Sequence, residues 1–199
     1  MNITLFPALT HIHAYSILFW VVFVWAYAPE FLLITRRRPQ AETVDTTSLR
    51  VLTIGLAVAF ALAFSLSQTP TWHWSSITVQ FTLFGGLVLL VLGSLLRRHC
   101  WRVLGNYFTG HVAVQINQPV ISTGAYAWVR HPSYSGALLM NTGVGIALGS
   151  WAGTTLLLIA SSILYGYRIA VEERILLINI GESYRVFMAG RKRLVPFVY

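Results

Sequence analysis

RHPSYSGALLMNTGVGIALGSWAGTTLLLIASSILYGY, residues 130–167, sets a cation, an imidazole and a phenol directly before two apolar runs. The runs cover about residues 136–149 and 152–167, and Ser150-Trp151 divides them. Neither contains a charge, so both belong in a medium without water. Each falls short of the ~20 residues that a crossing helix needs. They are therefore either tilted spans or a helical hairpin, and either form returns the chain to the side it left. The glycines of Gly143-Val144-Gly145-Ile146-Ala147-Leu148-Gly149 resemble a nucleotide loop, but no strand precedes them. Small residues in an apolar helix instead let a neighbouring helix approach closely.

Three further apolar runs lie upstream, at about residues 12–34, 51–66 and 77–96. Hydrophobic residues make up 56% of the 199 positions and charged ones 10%, where a soluble domain carries about 25% charge. Such a chain cannot cover a water-facing surface. The expected fold is an all-α integral membrane protein with about five transmembrane or hairpin helices. It reads as a single membrane domain over 1–199, with three spans in 1–96 and the chemistry in 97–199.

The charges orient it. With the N-terminus outside, the inner segments 35–50, 97–135 and 168–199 hold all 14 Lys and Arg residues, and the connections near 68–75 and 150–151 hold none. This asymmetry is the positive-inside pattern. The first cluster is Arg36-Arg37-Arg38, and Trp72 and Trp74 in the outer turn suit an interfacial belt. All six acids also fall on or near the inner side. The net charge of +8 therefore reflects membrane orientation, and the clusters are too short for a nucleic-acid face. Cys100 is the single cysteine and cannot form an internal disulfide. His11 and His13 lack the i, i+4 spacing of helical ligands and any accompanying acid, so no metal is expected.

The chemistry must lie inside. Segment 97–135 is the longest polar connection, too rich in aromatic and β-branched residues for disorder, and is expected to fold back along the membrane surface. Before the apolar run at 136, Arg130 and His131 flank a helix start at Pro132, a suitable place for an anion such as a carboxylate. The same residues serve equally as interfacial anchors. From 167 to 180 the pattern is helical, and Arg168 and Glu172 share a face one turn apart while Glu173 points elsewhere. Spacing alone leaves two readings of Arg168 open, an ion pair with Glu172 or a group facing a ligand.

LGNYFT, STGAYAWVRHPSYSG, YRIAVEERILLINIGESYRVF and the closing RLVPF occur in that order over about residues 95–199. In order and spacing they resemble the isoprenylcysteine carboxyl methyltransferase family, especially its small prokaryotic members. The resemblance implies an S-adenosyl-L-methionine pocket that opens sideways to the bilayer and is closed by a cytosolic C-terminal helix. It implies that His131 and Tyr134, with Arg130 beside them, hold the methionine end, and that Tyr126 contacts the cofactor. The loop from Gln118 to Ile121 would line the nucleoside end, Glu172 would take hydroxyl or amino groups, and Arg168 would face the acceptor. The chain departs from the eukaryotic members at Arg174, where they carry further acids.

The expected activity is methyl transfer to a lipophilic or lipidated acceptor entering from the membrane, with O-methylation of a carboxylate favoured because no base is obvious. The resemblance to small prokaryotic members implies a bacterial inner membrane, with the site cytoplasmic. The alternatives are a phospholipid N-methyltransferase and an NADPH-dependent membrane reductase of the sterol-reductase type. Against the reductase stand Glu172-Glu173 with GESY, and the lack of a cationic cluster for a 2′-phosphate.

Overall fold

The computed structural model describes residues 13–34, 42–74, 79–114 and 118–195. His11, Arg36, Arg37, Arg38 and the end of RLVPF lie outside the described residues. Six α-helices occur among those described: α1 (His13–Ile34), α2 (Thr47–Leu66), α3 (Val79–Leu104), α4 (Pro132–Ala147), α5 (Trp151–Ile180) and α6 (Glu182–Ala189). The all-α class holds. A two-stranded antiparallel ribbon, β1 (Glu42–Asp45) with β2 (Val112–Val114), ties the α1–α2 connection to the α3–α4 connection.

Four helices are long and apolar enough to cross a membrane, and they lie within α1, α2, α3 with its following turn, and α5. Their outward side chains are apolar: Ile17, Val21, Ile54, Val58, Phe81, Val88 and Ile163 are all exposed. The protein thus presents hydrocarbon to its surroundings, as an integral membrane protein does. The 16-residue α4 is shorter than a crossing helix needs, and it packs between α3 and α5.

Two boundaries differ from the sequence expectation. Segment 97–135 does not leave the helix at residue 96, because α3 continues to Leu104 and carries Arg97, Arg98 and Arg102. Likewise the apolar run ending at 167 is only the first half of α5, which continues to a cap at Gly181. Hydropathy reports where lipid ends, whereas a helix ends where a breaker stands. Gly181, at φ 72°, is that breaker.

Glycine sets the tightest seam. In the antiparallel α3–α4 pair, a Cβ on Gly143 would come within 2.6 Å of the Gly86 carbonyl oxygen and 2.7 Å of Leu90 N. On Gly93 it would meet the Gly136 carbonyl oxygen at 2.5 Å. The backbones touch where only glycine fits. At the far end of the bundle, Ser150 accepts from Gly153 N to start α5, and Trp72 rests edge-on against Trp151 at 5.2 Å.

Candidate active site

The opposite end is where the ionisable side chains gather. The C-terminal ends of α1, α3 and α5 meet the N-terminal ends of α2 and α4 around a cavity of about 430 Å³. Gln118, Ile121, Tyr126, Arg130, His131, Tyr134, Arg168 and Glu172 all line it. The residues singled out from sequence, spread over 55 positions, thus face a single space.

Arg168 is 3% exposed. It donates to Ser48 Oγ, and its Nη2 donates to the Gly110 carbonyl at 2.8 Å. Its Nη1 also lies 3.4 Å from Asp45 Oδ2. The i, i+4 pair with Glu172 is therefore not what holds it. Asp45 accepts from the backbone N–H groups of Thr47 and Ser48 at the start of α2, where a carboxylate is favoured. Burial opposes ionisation of Asp45, but the hydrogen bonds from Ser48 and Thr47 and the charge of Arg168 outweigh it and hold the carboxyl below its ordinary range. So the end of β1, the first turn of α2 and Gly110 fix the terminal nitrogens of the Arg168 guanidinium. Glu172 turns to α4 instead, accepting from the Tyr134 hydroxyl at 2.7 Å.

Glu173 is the residue that sequence reading passed over. It is 4% exposed, and its Oε1 lies 3.2 Å from both His131 Nε2 and Arg130 Nε. Its Oε2 accepts from Arg193 Nη2 at 3.0 Å. The cationic corner expected around Arg130 and His131 is thus held from behind by an internal carboxylate. The same corner anchors the C-terminal segment: Arg130 N donates to Lys192 O at 2.8 Å, His131 N to Arg193 O at 2.9 Å, and Ser135 Oγ to Leu194 O at 2.6 Å. Arg130 Nε is near Glu173 but misaligned, so this buried N–H has no hydrogen-bond acceptor. His111 Nδ1, at the cavity wall, is in the same position. Buried polar groups left open are costly and mark places where a ligand atom is wanted.

Toward the bilayer side, Glu30 of α1 pairs with Arg97 of α3, and Arg97 Nη1 donates to the Ser133 carbonyl at 2.9 Å. Deeper still, Tyr27 donates to Asn141 Oδ1 at 2.7 Å, and Asn141 Nδ2 donates to Ser161 Oγ at 2.9 Å. Each bond joins residues from different helices, and no local spacing announces such a pairing. On the aqueous side α6 covers the cavity with Tyr184 and Phe187. Burial raises the Tyr126 and Tyr184 hydroxyls well above their ordinary range, so both remain protonated donors.

Comparison with known proteins agrees with this architecture. The sequence model of the isoprenylcysteine carboxyl methyltransferase family matches residues 86–178. The chain is similar to a protein-S-isoprenylcysteine O-methyltransferase of Schizosaccharomyces pombe, 33% identical over 114 residues, covering 56% of this chain and 48% of that protein. A Tribolium castaneum enzyme of the same name is 30% identical over 115 residues, covering 57% of this chain and 41% of its own length. A probable enzyme of that name from Oryza sativa subsp. indica is 23% identical over 188 residues, covering 91% of this chain and 95% of its own. The chain spans about half the length of the first two. The solved structure of a eukaryotic intramembrane Ras methyltransferase superposes with a TM-score of 0.58 at 24% identity, covering 78% of this chain and 55% of that one. That likeness shows a shared fold.

Proposed function

Because the isoprenylcysteine carboxyl methyltransferase family model matches residues 86–178, we infer that the chain is a member of that family and transfers a methyl group from S-adenosyl-L-methionine to a carboxylate on a lipophilic acceptor. The observation that carries this reading is one continuous cavity, polar at the aqueous end and apolar along α2, with Arg168 between the two.

The side chains suit the cofactor. Its carboxylate calls for buried donors, and Arg130 Nε is one without an acceptor. Its amino and hydroxyl groups call for an acceptor, and Glu172 provides one beside Tyr134. Gln118, Ile121 and Tyr126 would line the nucleoside end, with Tyr184 and Phe187 of α6 excluding water. When bound, S-adenosyl-L-methionine supplies an electrophilic methyl group on a sulfonium.

The protein's part is positioning. Arg168, its terminal nitrogens fixed by Asp45, Ser48 and Gly110, offers a fixed cation for the acceptor carboxylate. A carboxylate is already deprotonated near neutral pH, so it needs no general base. An amine acceptor would need one, which disfavours phospholipid N-methylation. The reductase alternative would need a cluster of free cations for a 2′-phosphate, whereas His131 and Arg193 are engaged by Glu173 and leave Arg130 Nε as a single open donor there. Every described Lys and Arg belongs to the cavity end of the bundle. This supports a cytoplasm-facing site with the N-terminus outside.

Thermal stabilisation in detergent tests the cofactor. S-adenosylhomocysteine should raise the melting temperature in a dose-dependent way and NADPH should not; the reverse result would overturn the reading.

A further inference from the structure

One apolar wall of the cavity is a stripe on α2. Leu49, Leu52, Thr53, Leu56, Ala57 and Phe60 line it, at the spacing of one helix face. Thr53 does not interrupt the stripe, because its hydroxyl donates back to the Leu49 carbonyl at 2.8 Å. From Leu49 to Phe60 the stripe runs about 16 Å along the helix axis at ~1.5 Å per residue. That is close to half of the ~30 Å hydrocarbon thickness, the depth of one leaflet.

The stripe begins beside Arg168, which bonds Ser48, and it ends at an aromatic corner. There the Phe60 ring stands edge-on to Tyr27 at 5.8 Å and to Phe23 at 6.3 Å. Tyr27 is fixed in turn by its bond to Asn141, and Asn141 by its bond to Ser161, so α1, α4 and α5 are tied at this depth. Breaking these bonds in an apolar surrounding leaves polar groups unpaired. The corner is therefore a rigid stop, not a set of side chains that a lipid chain pushes aside.

We propose that this slot measures the acceptor: one hydrocarbon chain lies along α2 with its carboxylate at Arg168, and Phe60 with Tyr27 sets the longest chain accepted. This rests on the reading of the site as one for a lipophilic carboxylate. A slot of this length holds a chain of roughly 12–14 carbons, taking C–C bonds of ~1.5 Å foreshortened by their zigzag. A chain gains little by moving from lipid into the slot, so length is read as rejection of what does not fit.

The test uses the full chain in lipid nanodiscs with saturating S-adenosylhomocysteine. A ladder of S-alkyl thioether carboxylates from 8 to 20 carbons is titrated, and binding is followed by thermal stabilisation. Apparent affinity should peak near 12–14 carbons and fall at least tenfold by 18. Phe60→Ala should restore binding of the 18-carbon ligand. Ala57→Phe, which fills the slot one turn earlier, should move the peak down by about three or four carbons. Equal affinity for 12 and 18 carbons in the wild type, or a peak unmoved in both variants, would overturn the proposal. So would equal binding of a matched thioether lacking the carboxylate, which would assign the slot to bilayer lipid. Methyl transfer on the same ladder, with S-adenosyl-L-methionine replacing S-adenosylhomocysteine, reports separately on the underlying function. No transfer with the length dependence intact would remove the methyltransferase reading and leave the slot.

Discussion

The α3–α4 and α2–α5 pairs are both antiparallel and both apolar, yet one is sealed and the other opens. Across α3–α4 the facing positions are Gly86, Gly93, Gly136 and Gly143, and backbone meets backbone along the seam. Across α2–α5 backbone approaches backbone at the far end, where a Cβ on Gly153 would lie 3.3 Å from the Ala63 carbonyl oxygen, while nearer the middle Gly55 receives the Leu164 side chain, which a Cβ there would meet at 2.8 Å. Toward the cavity the facing residues become long, Leu52, Leu56 and Phe60 on α2 against Tyr165, Arg168 and Glu172 on α5, and a space remains between them. Residue size at the seam, not hydrophobicity, separates a weld from a binding slot. The sealed pair is the frame that holds the N-terminus of α4, with His131 and Tyr134, in a fixed place beside the open pair.

The largest expected effect breaks the sealed seam. Gly143→Leu would drive a side chain into the Gly86 carbonyl and Leu90 backbone, costing roughly 3 kcal/mol or more. Thermal unfolding in detergent should show a collapse of the transition, and a wild-type melting curve would mean that the seam is looser than described.

Next comes the open pair. Arg168→Lys should lower turnover by about 100-fold, since lysine cannot reproduce a planar contact while also reaching Ser48 and Gly110. S-adenosylhomocysteine affinity should stay near wild type. Wild-type turnover would reduce Arg168 to a structural cation, and a parallel loss of cofactor affinity would move it into the cofactor site.

Glu172→Ala should act on the other partner. Loss of one charge-assisted hydrogen bond weakens S-adenosylhomocysteine by roughly 10- to 150-fold. Unchanged affinity by calorimetry would show that Glu172 serves only Tyr134.

The smallest effect is the sharpest contrast. Gly85 and Gly166 would meet nothing within 4 Å on gaining a Cβ, although Gly85 adjoins the tightly packed Gly86. Alanine at either should stabilise by about 0.5–1 kcal/mol through lower helix entropy cost. A raised melting temperature for Gly85→Ala beside a lowered one for Gly86→Ala would map the edge of the seam to a single residue.

The sequence by itself determined the class, the helix order and which end gathers the charged side chains, because hydropathy and charge are local properties that lipid and water sort directly. It also determined the cavity residues of RHPSYSG and the α5 turn at Arg168 and Glu172, since those lie in contiguous motifs. Only the tertiary structure decided what each one touches. Spacing placed Glu172 opposite Arg168, but the guanidinium bonds Ser48 and Gly110, more than 50 residues away. Glu173 read as a bystander and proved to be the buried counter-ion of Arg130, His131 and Arg193. Tyr27, Asn141 and Phe60 carried no signal at all, for a polar or aromatic residue in an apolar run acquires its role only from the helix that packs against it. Buried hydrogen bonds and steric stops are made between segments, and a single chain's pattern records the segments without their partners.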